Sequence, residues 1–215
     1  MKSEGVVIVD YGMGNVGSIV NMLRKIGTDA TVSPDPDVIS QASKLILPGV
    51  GAFDSAMKRI REFGLREVLD HKARVDKTPI IGLCLGMQLL TEGSDEGAEP
   101  GLGWVPGRTH KFDARAYPDI RIPHMGWNTA HRVRDDELTS DFTSDPRFYF
   151  VHSYYVKCDD PADVILTARH GVEFHAGLHH ENIFGVQFHP EKSHHFGMTL
   201  LTGFLRVPGP AGVIA

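Results

Sequence analysis

Apolar residues along the chain fall into two patterns that alternate. Val6–Val9, Lys44–Leu47 and Pro79–Ile81 are short runs of mostly branched apolar residues, the pattern of strands covered on both faces of a sheet. Between the first two, Val16, Ile19, Val20, Leu23 and Ile26 recur at helical spacing and stop at Gly27. A strand from about Asp29 to Ser33 leads into Pro34-Asp35-Pro36-Asp37 and a short helix, and a helical region from about Phe53 to Arg74 is interrupted at Gly64. Strand, helix, strand, helix in this order predicts a mostly parallel sheet flanked by helices in three layers.

The second half reads differently. Gly93–Gly107, rich in Gly, Pro and acidic residues, predicts a surface loop. Beyond it, short strand-like pieces alternate with turns: Arg147–Val151, continuing into His152-Ser153-Tyr154-Tyr155, then Asp163–Ala168 and Ile183–Phe188. Gly171, Gly177 and His180-Glu181-Asn182 read as turn material. A last helix is predicted over His194–Arg206, and the Pro- and Gly-rich stretch 207–215 reads as a loose tail. The expected fold is one α/β domain over 1–206 with antiparallel strands in its C-terminal half.

Composition narrows the function classes. With 215 residues and 41% hydrophobic content there is enough chain for one packed core. A net charge of −5 without a basic run gives no reason to expect nucleic acid. No apolar window suits a membrane span, and Met1-Lys2-Ser3-Glu4-Gly5 lacks a signal-peptide pattern, so a cytoplasmic protein is expected. Two cysteines, Cys84 and Cys158, exclude a disulfide scaffold.

The chemistry centres on Gly82-Leu83-Cys84-Leu85-Gly86, between the strand at Pro79–Ile81 and helical Met87–Leu90. A strand turning into a helix across Gly-x-Cys-x-Gly is a nucleophile elbow, holding Cys84 at the carboxyl edge of the sheet beside helix N–H groups that favour thiolate. The alternative is a core cysteine in a glycine-punctuated strand. A thiolate nucleophile needs a base and an orienter, and His189-Pro190-Glu191 supplies both types at a strand end, two residues apart and therefore on one side. The alternative there is a polar turn. An oxyanion would find one donor in the Leu85 amide and a second in Pro48-Gly49-Val50-Gly51, from Val50 or Gly51, unless that loop is only a tight strand-to-helix turn.

Three further features compete. Gly12-Met13-Gly14-Asn15-Val16-Gly17 matches the dinucleotide fingerprint, but the second strand ends in Thr31-Val32-Ser33 without the acidic residue that would hold a ribose. The histidines at 175, 179, 180, 189, 194 and 195 have no zinc-site spacing, so no metal or cofactor is expected. Pro123-His124-Met125-Gly126-Trp127-Asn128 has the composition of a contact surface or of a satellite core cluster.

Together these segments resemble the class I (triad) glutamine amidotransferases over nearly the whole chain. Within that class, Asp10–Asn15 and Pro123–Asn128 make the sequence similar to the glutaminase subunits of imidazole glycerol phosphate synthase. The resemblance implies that Cys84, His189 and Glu191 form a catalytic triad, with Leu85 and Val50 or Gly51 as oxyanion donors. It also implies that Gly49, Gln88, Ser153 and Tyr154 bind L-glutamine, and that Asn15, Met125, Trp127 and Lys192 meet a partner. That partner would be a (β/α)8-barrel cyclase, forming a heterodimer that uses the ammonia to make imidazole glycerol phosphate and AICAR in histidine biosynthesis.

Overall fold

A computed structural model describes residues 5–209. The readings made on Met1–Glu4 and on residues 210–215 lie outside the described residues. The elements run β1 (Val6–Val9), α1 (Val16–Lys25), β2 (Thr31–Ser33), α2 (Pro36–Ser40), β3 (Lys44–Leu47), α3 (Phe53–Glu62), α4 (Arg66–Arg74), β4 (Ile80–Leu83) and α5 (Leu85–Leu89). They continue with β5 (Gly107–Lys111), β6 (His124–Thr129), β7 (His131–Arg132), β8 (Arg147–His152), β9 (Tyr154–Cys158), β10 (Val164–His170), β11 (Val172–His180), β12 (Ile183–Val186) and α6 (His194–Arg206).

The main sheet has the order β2-β1-β3-β4-β12-β11-β10-β7, with β9 joined to β11 and β5 to β9. Pairing is parallel from β2 to β12 and antiparallel beyond it. β6 and β8 form a separate antiparallel ribbon. Because side chains alternate across a strand, β1 sends Val7 and Val9 to one core and Val6 and Ile8 to the other. The first core is covered by α2, α3 and α4 through Ile39, Phe53, Met57, Ile60 and Leu69, and the second by α1 and α6 through Ile19, Leu23, Leu200, Leu201 and Phe204. This is the three-layer arrangement expected. Burying each such Leu, Ile or Phe contributes about 1.5–3 kcal/mol, so both faces hold the sheet edge that carries the cysteine.

The structure corrects the reading of the second half in several places. Gly177 is not turn material: it lies inside β11, the nine-residue strand Val172–His180, at an irregularity in its pairing with β10. A Cβ there would sit 3.0 Å from Leu166, so the glycine makes room for a neighbouring side chain. The run through Val151–Tyr155 is not one strand. It breaks at Ser153, where the His152 ring folds back so that Nδ1 bonds the Tyr154 carbonyl at 2.7 Å, and β8 and β9 then pair with different strands. The segment 93–107 is a surface loop only in part: Leu102, Trp104 and Val105 are buried in the first core, while its acidic half is tied down by the Asp54 carboxylate, which accepts from the Ala98 and Glu99 amides at 3.1 and 3.0 Å. Val207, at the head of the stretch read as a tail, is buried in the second core.

Candidate active site

The parallel strands β1, β3, β4 and β12 point their carboxyl ends at one edge, and the loops there build the site. Between β4 and α5 the chain turns on Cys84, which has φ 53° and ψ −108°. A non-glycine residue at positive φ costs about 1–3 kcal/mol and persists where its surroundings enforce it. Here the Cys84 amide is held by the Val186 carbonyl at 2.8 Å, and its carbonyl receives the Met87 amide at 3.1 Å. The flanking glycines are required by close approach. A Cβ on Gly82 would meet the Gly86 carbonyl at 2.6 Å, and one on Gly86 would lie 1.9 Å from the Leu47 carbonyl oxygen. Cys84 is thus a strained elbow residue and not a passive core cysteine, although it is largely buried.

The next strand brings in the histidine. β12 ends at Val186, and the chain continues extended through Phe188 to His189, whose amide donates to the Tyr149 carbonyl at 2.9 Å. Ser193 Oγ donates to the His189 carbonyl at 2.6 Å and accepts from the Tyr149 amide at 3.0 Å, fixing this backbone from behind. The ring Nδ1 is 2.8 Å from Glu191 Oε1, and both side chains are buried. Burial works against a charge on His189. Hydrogen bonds to the Cys84 sulfur and the Glu191 carboxylate, with the negative charge on each, overcome it and push His189 up to about 10. The surroundings therefore favour the charged imidazolium at His189, set between the Cys84 sulfur and the Glu191 carboxylate.

A cavity of about 310 Å³ opens over Cys84 and His189. Val50, Gly51, Leu85, Gln88, Ser153 and Tyr154, all expected from the sequence, line it together with Glu96, Pro123, Val151 and His152. Gly49 stands behind the wall instead. The space above it is filled by Leu85 and by the Tyr11 hydroxyl, each 2.8 Å from where a Cβ would be. That Tyr11 hydroxyl donates to the Pro48 carbonyl, bracing the 48–51 loop; burial raises its pKa. The fingerprint-like turn serves the same loop, since a Cβ on Gly14 would be 3.1 Å from the Pro48 ring.

Two lining or supporting residues escaped the sequence reading. Glu96 lies in the acidic loop and reaches back to cap α3, accepting from the Phe53 amide at 2.9 Å. Gln187 is fully buried and lies 3.2 Å from Gln88 and 3.8 Å from the Cys84 sulfur. The only signal for Gln187 is a polar residue two positions before His189, inside an otherwise apolar strand end. Among the described residues, no group of three or more His, Cys, Asp or Glu side chains could hold a metal ion.

Asn15, Met125, Trp127 and Lys192 are all exposed, Met125 at 62% and Trp127 at 41%. Trp127 stacks on His194 with ring centres 5.5 Å apart and meets Tyr149 edge-on, and Lys192 Nζ lies 5.7 Å from the Tyr149 ring. Three of the sequence-expected interface residues thus lie on or beside one aromatic patch: Met125 and Trp127 on β6, and Lys192 in the turn after His189. Asn15 precedes α1, which packs beside the same turn.

The family model for glutamine amidotransferase class-I matches residues 7–206. The chain is 50% identical over 201 residues to imidazole glycerol phosphate synthase subunit HisH 2 of Methanococcus maripaludis, covering 94% of this chain and 98% of that protein. It is 46% identical to the protein of the same name from Pseudomonas aeruginosa, over 94% and 99% of the two chains. The chain belongs to the HisH family of class-I glutamine amidotransferases. Its fold is also that of more distant amidotransferase structures. PurLQS from Thermotoga maritima superposes with a TM-score of 0.72 at 19% identity, covering 95% of this chain and 98% of that one. A glutamine amidotransferase from the same organism gives 0.68 at 13%, covering 96% and 100%. A HisH-family chain of this kind accounts for an elbow cysteine, a histidine and a glutamate meeting in one cavity. No helix among the described residues is long and apolar enough to cross a membrane.

Proposed function

We propose that this chain hydrolyses L-glutamine to glutamate and ammonia through a thioester on Cys84, and passes the ammonia to the cyclase subunit of imidazole glycerol phosphate synthase in histidine biosynthesis. The observation that carries the reading is the buried Cys84–His189–Glu191 array at the floor of a cavity bordered by the Leu85 amide and the 48–51 loop. In this reading the Cys84 sulfur attacks the side-chain amide carbon, and the negative charge moves onto the carbonyl oxygen. The Leu85 N–H and an N–H of Val50 or Gly51 receive it. The His189 imidazolium gives its proton to the departing ammonia. The neutral ring then takes a proton from water, which adds to the thioester; collapse frees glutamate and returns the thiolate. Glu191 holds the ring orientation and stabilises its charged form.

The rest of the cavity suits the amino-acid end of glutamine. Glu96 offers a carboxylate for an ammonium group, and Gln88, Ser153 and Tyr154 offer polar groups around it. The exposed Met125 and Trp127 with Lys192 supply an aromatic, apolar and cationic patch suited to the cyclase barrel, with Asn15 as a further contact. Residues 1–206 form the amidotransferase domain. The setting is cytoplasmic, consistent with two free cysteines, Cys84 and Cys158.

The test is glutamine hydrolysis by the isolated chain and by the chain with its cyclase and the cyclase's nucleotide ligand. Low activity alone, a large increase with the liganded partner, and loss of both in Cys84→Ala are expected. Full stimulated activity in Cys84→Ala would contradict the mechanism, and failure of a barrel cyclase to bind would contradict the proposed pairing.

A further inference from the structure

Gln187 is fully buried between two groups of the site, and its orientation follows from its neighbours. The Tyr154 carbonyl oxygen can only accept, so the Gln88 atom 3.1 Å from it is Nε2. The same Nε2 is 3.2 Å from the Gln187 side chain, which must therefore turn its oxygen, Oε1, toward Gln88. That leaves the Gln187 amide nitrogen aimed at the Cys84 sulfur, 3.8 Å away, within reach of a hydrogen bond to the large sulfur atom. The chain of donors thus has one direction: Gln187 Nε2 to Sγ, Gln88 Nε2 to Gln187 Oε1, and Gln88 Nε2 to the Tyr154 carbonyl. His152 Nδ1 donates to the same carbonyl at 2.7 Å, completing the anchor.

We infer that Gln187 is a positioning residue for the nucleophile: its side-chain amide donates to the Cys84 thiolate while its carbonyl fixes Gln88. A thiolate that accepts an N–H bond in a buried site is held in place and favoured over the thiol. The second consequence falls on Gln88. With both amide protons committed to protein acceptors, it can offer a ligand in the cavity only its Oε1, an acceptor for a substrate N–H. His189 charges the pair from one side, and Gln187 supplies a neutral donor from another.

The inference rests on Cys84 being the nucleophile, and its test avoids turnover. Iodoacetamide alkylation of Cys84 is followed against pH by peptide mapping, which separates it from Cys158, a thiol that burial pushes up to about 12. In Gln187→Met, which keeps the length of the side chain and loses the donor, the rising limb of the alkylation curve is expected to move up by about one pH unit. At a given pH on that limb the rate should fall about tenfold, the size of one lost hydrogen bond to a charged group. A curve that superimposes on the wild type overturns the inference. Should Gln187→Met fail to fold, the wild-type protein decides. The Gln187 side-chain amide resonance, assigned in labelled protein, should shift across the pH range in which Cys84 becomes reactive, and a resonance that stays fixed across that range overturns the inference. Because iodoacetamide needs no glutamine, a chain without glutaminase activity would contradict the proposed function and still report on this contact.

Discussion

Gly86→Ala is the substitution to which the site should be most sensitive for its size. The added methyl would lie 1.9 Å from the Leu47 carbonyl oxygen, at the end of the strand that carries the 48–51 loop. Ordinary contact begins at 3.4 Å, so backbone on one side or the other must give by about 1.5 Å. Neither side is a flexible side chain: one is the α5 backbone next to Cys84, the other the end of central strand β3. Overpacking of this kind costs about 3 kcal/mol or more. For a chain of this size that lowers Tm by roughly 6–12 °C. Relief of the clash separates the Leu85 amide from the 48–51 loop, and a displacement near 1 Å at reacting groups lowers the rate about 10²-fold. Gly17→Ala is the matched control, since Gly17 is exposed on α1 with nothing within 4 Å of the added methyl. It should leave Tm unchanged or raise it by a few degrees, about 0.5–1 kcal/mol at most. Thermal melts and glutamine hydrolysis of the three proteins check this. A Gly86→Ala protein that melts with the wild type and keeps its activity would refute the close-approach argument for the elbow.

Two further outcomes follow from the charged and buried groups. Glu191→Gln removes the negative charge that helps hold the proton on His189, so kcat should fall by about 10²–10⁴. The deficit relative to wild type should widen as pH rises from about 6 to about 9, and a pH-independent ratio would argue against the imidazolium role. Separately, burial lowers His124 to about 4 and, foremost among several causes, His152 to about 3, and it lowers His175 as well. These rings are neutral when folded, whereas the unfolded chain takes up their protons near pH 6.5. Their contribution is therefore present above about pH 6.5 and lost as pH falls toward the folded values, at up to about 1.4 kcal/mol per pH unit for each ring. Urea melts should show stability falling between pH 6.5 and 5, above the range where the lowered carboxylates of Asp54, Asp76 and Asp95 protonate. Equal stability at both pH values would contradict this.

What could be read from the chain depended on where the partners of each residue lie. The parallel half was legible because strands covered on both faces are written as unbroken apolar runs, and because Gly82 and Gly86 flank Cys84 locally. The pairing of His189 with Glu191 was legible because the two are close in sequence, but Pro190–Lys192 form a 3-10 turn, and this turn, not the alternation of an extended segment, brings the side chains together. β11 was not, because its histidines and Gly177 break the alternation that marks a strand. The polar positions are satisfied by neighbours, such as His180 by Asp163 at 2.9 Å and His175 by the Cys158 amide at 3.0 Å. Glu96 could not be assigned because its role depends on Phe53, distant in sequence, and Gln187 because its meaning depends on Gln88 and Cys84 arriving from β4 and α5. The aromatic patch was half legible: Trp127 advertised a contact surface, whereas Tyr149 and His194 join it only through the fold.

The central claim is that glutamine is opened on Cys84. Rapid acid quench of the chain mixed with glutamine and its liganded cyclase, followed by peptide mass mapping, tests it directly. The account predicts one glutamyl group on the peptide carrying Cys84 and none in Cys84→Ala. A glutamyl group on another residue, or glutamine hydrolysis that persists in Cys84→Ala, would contradict it.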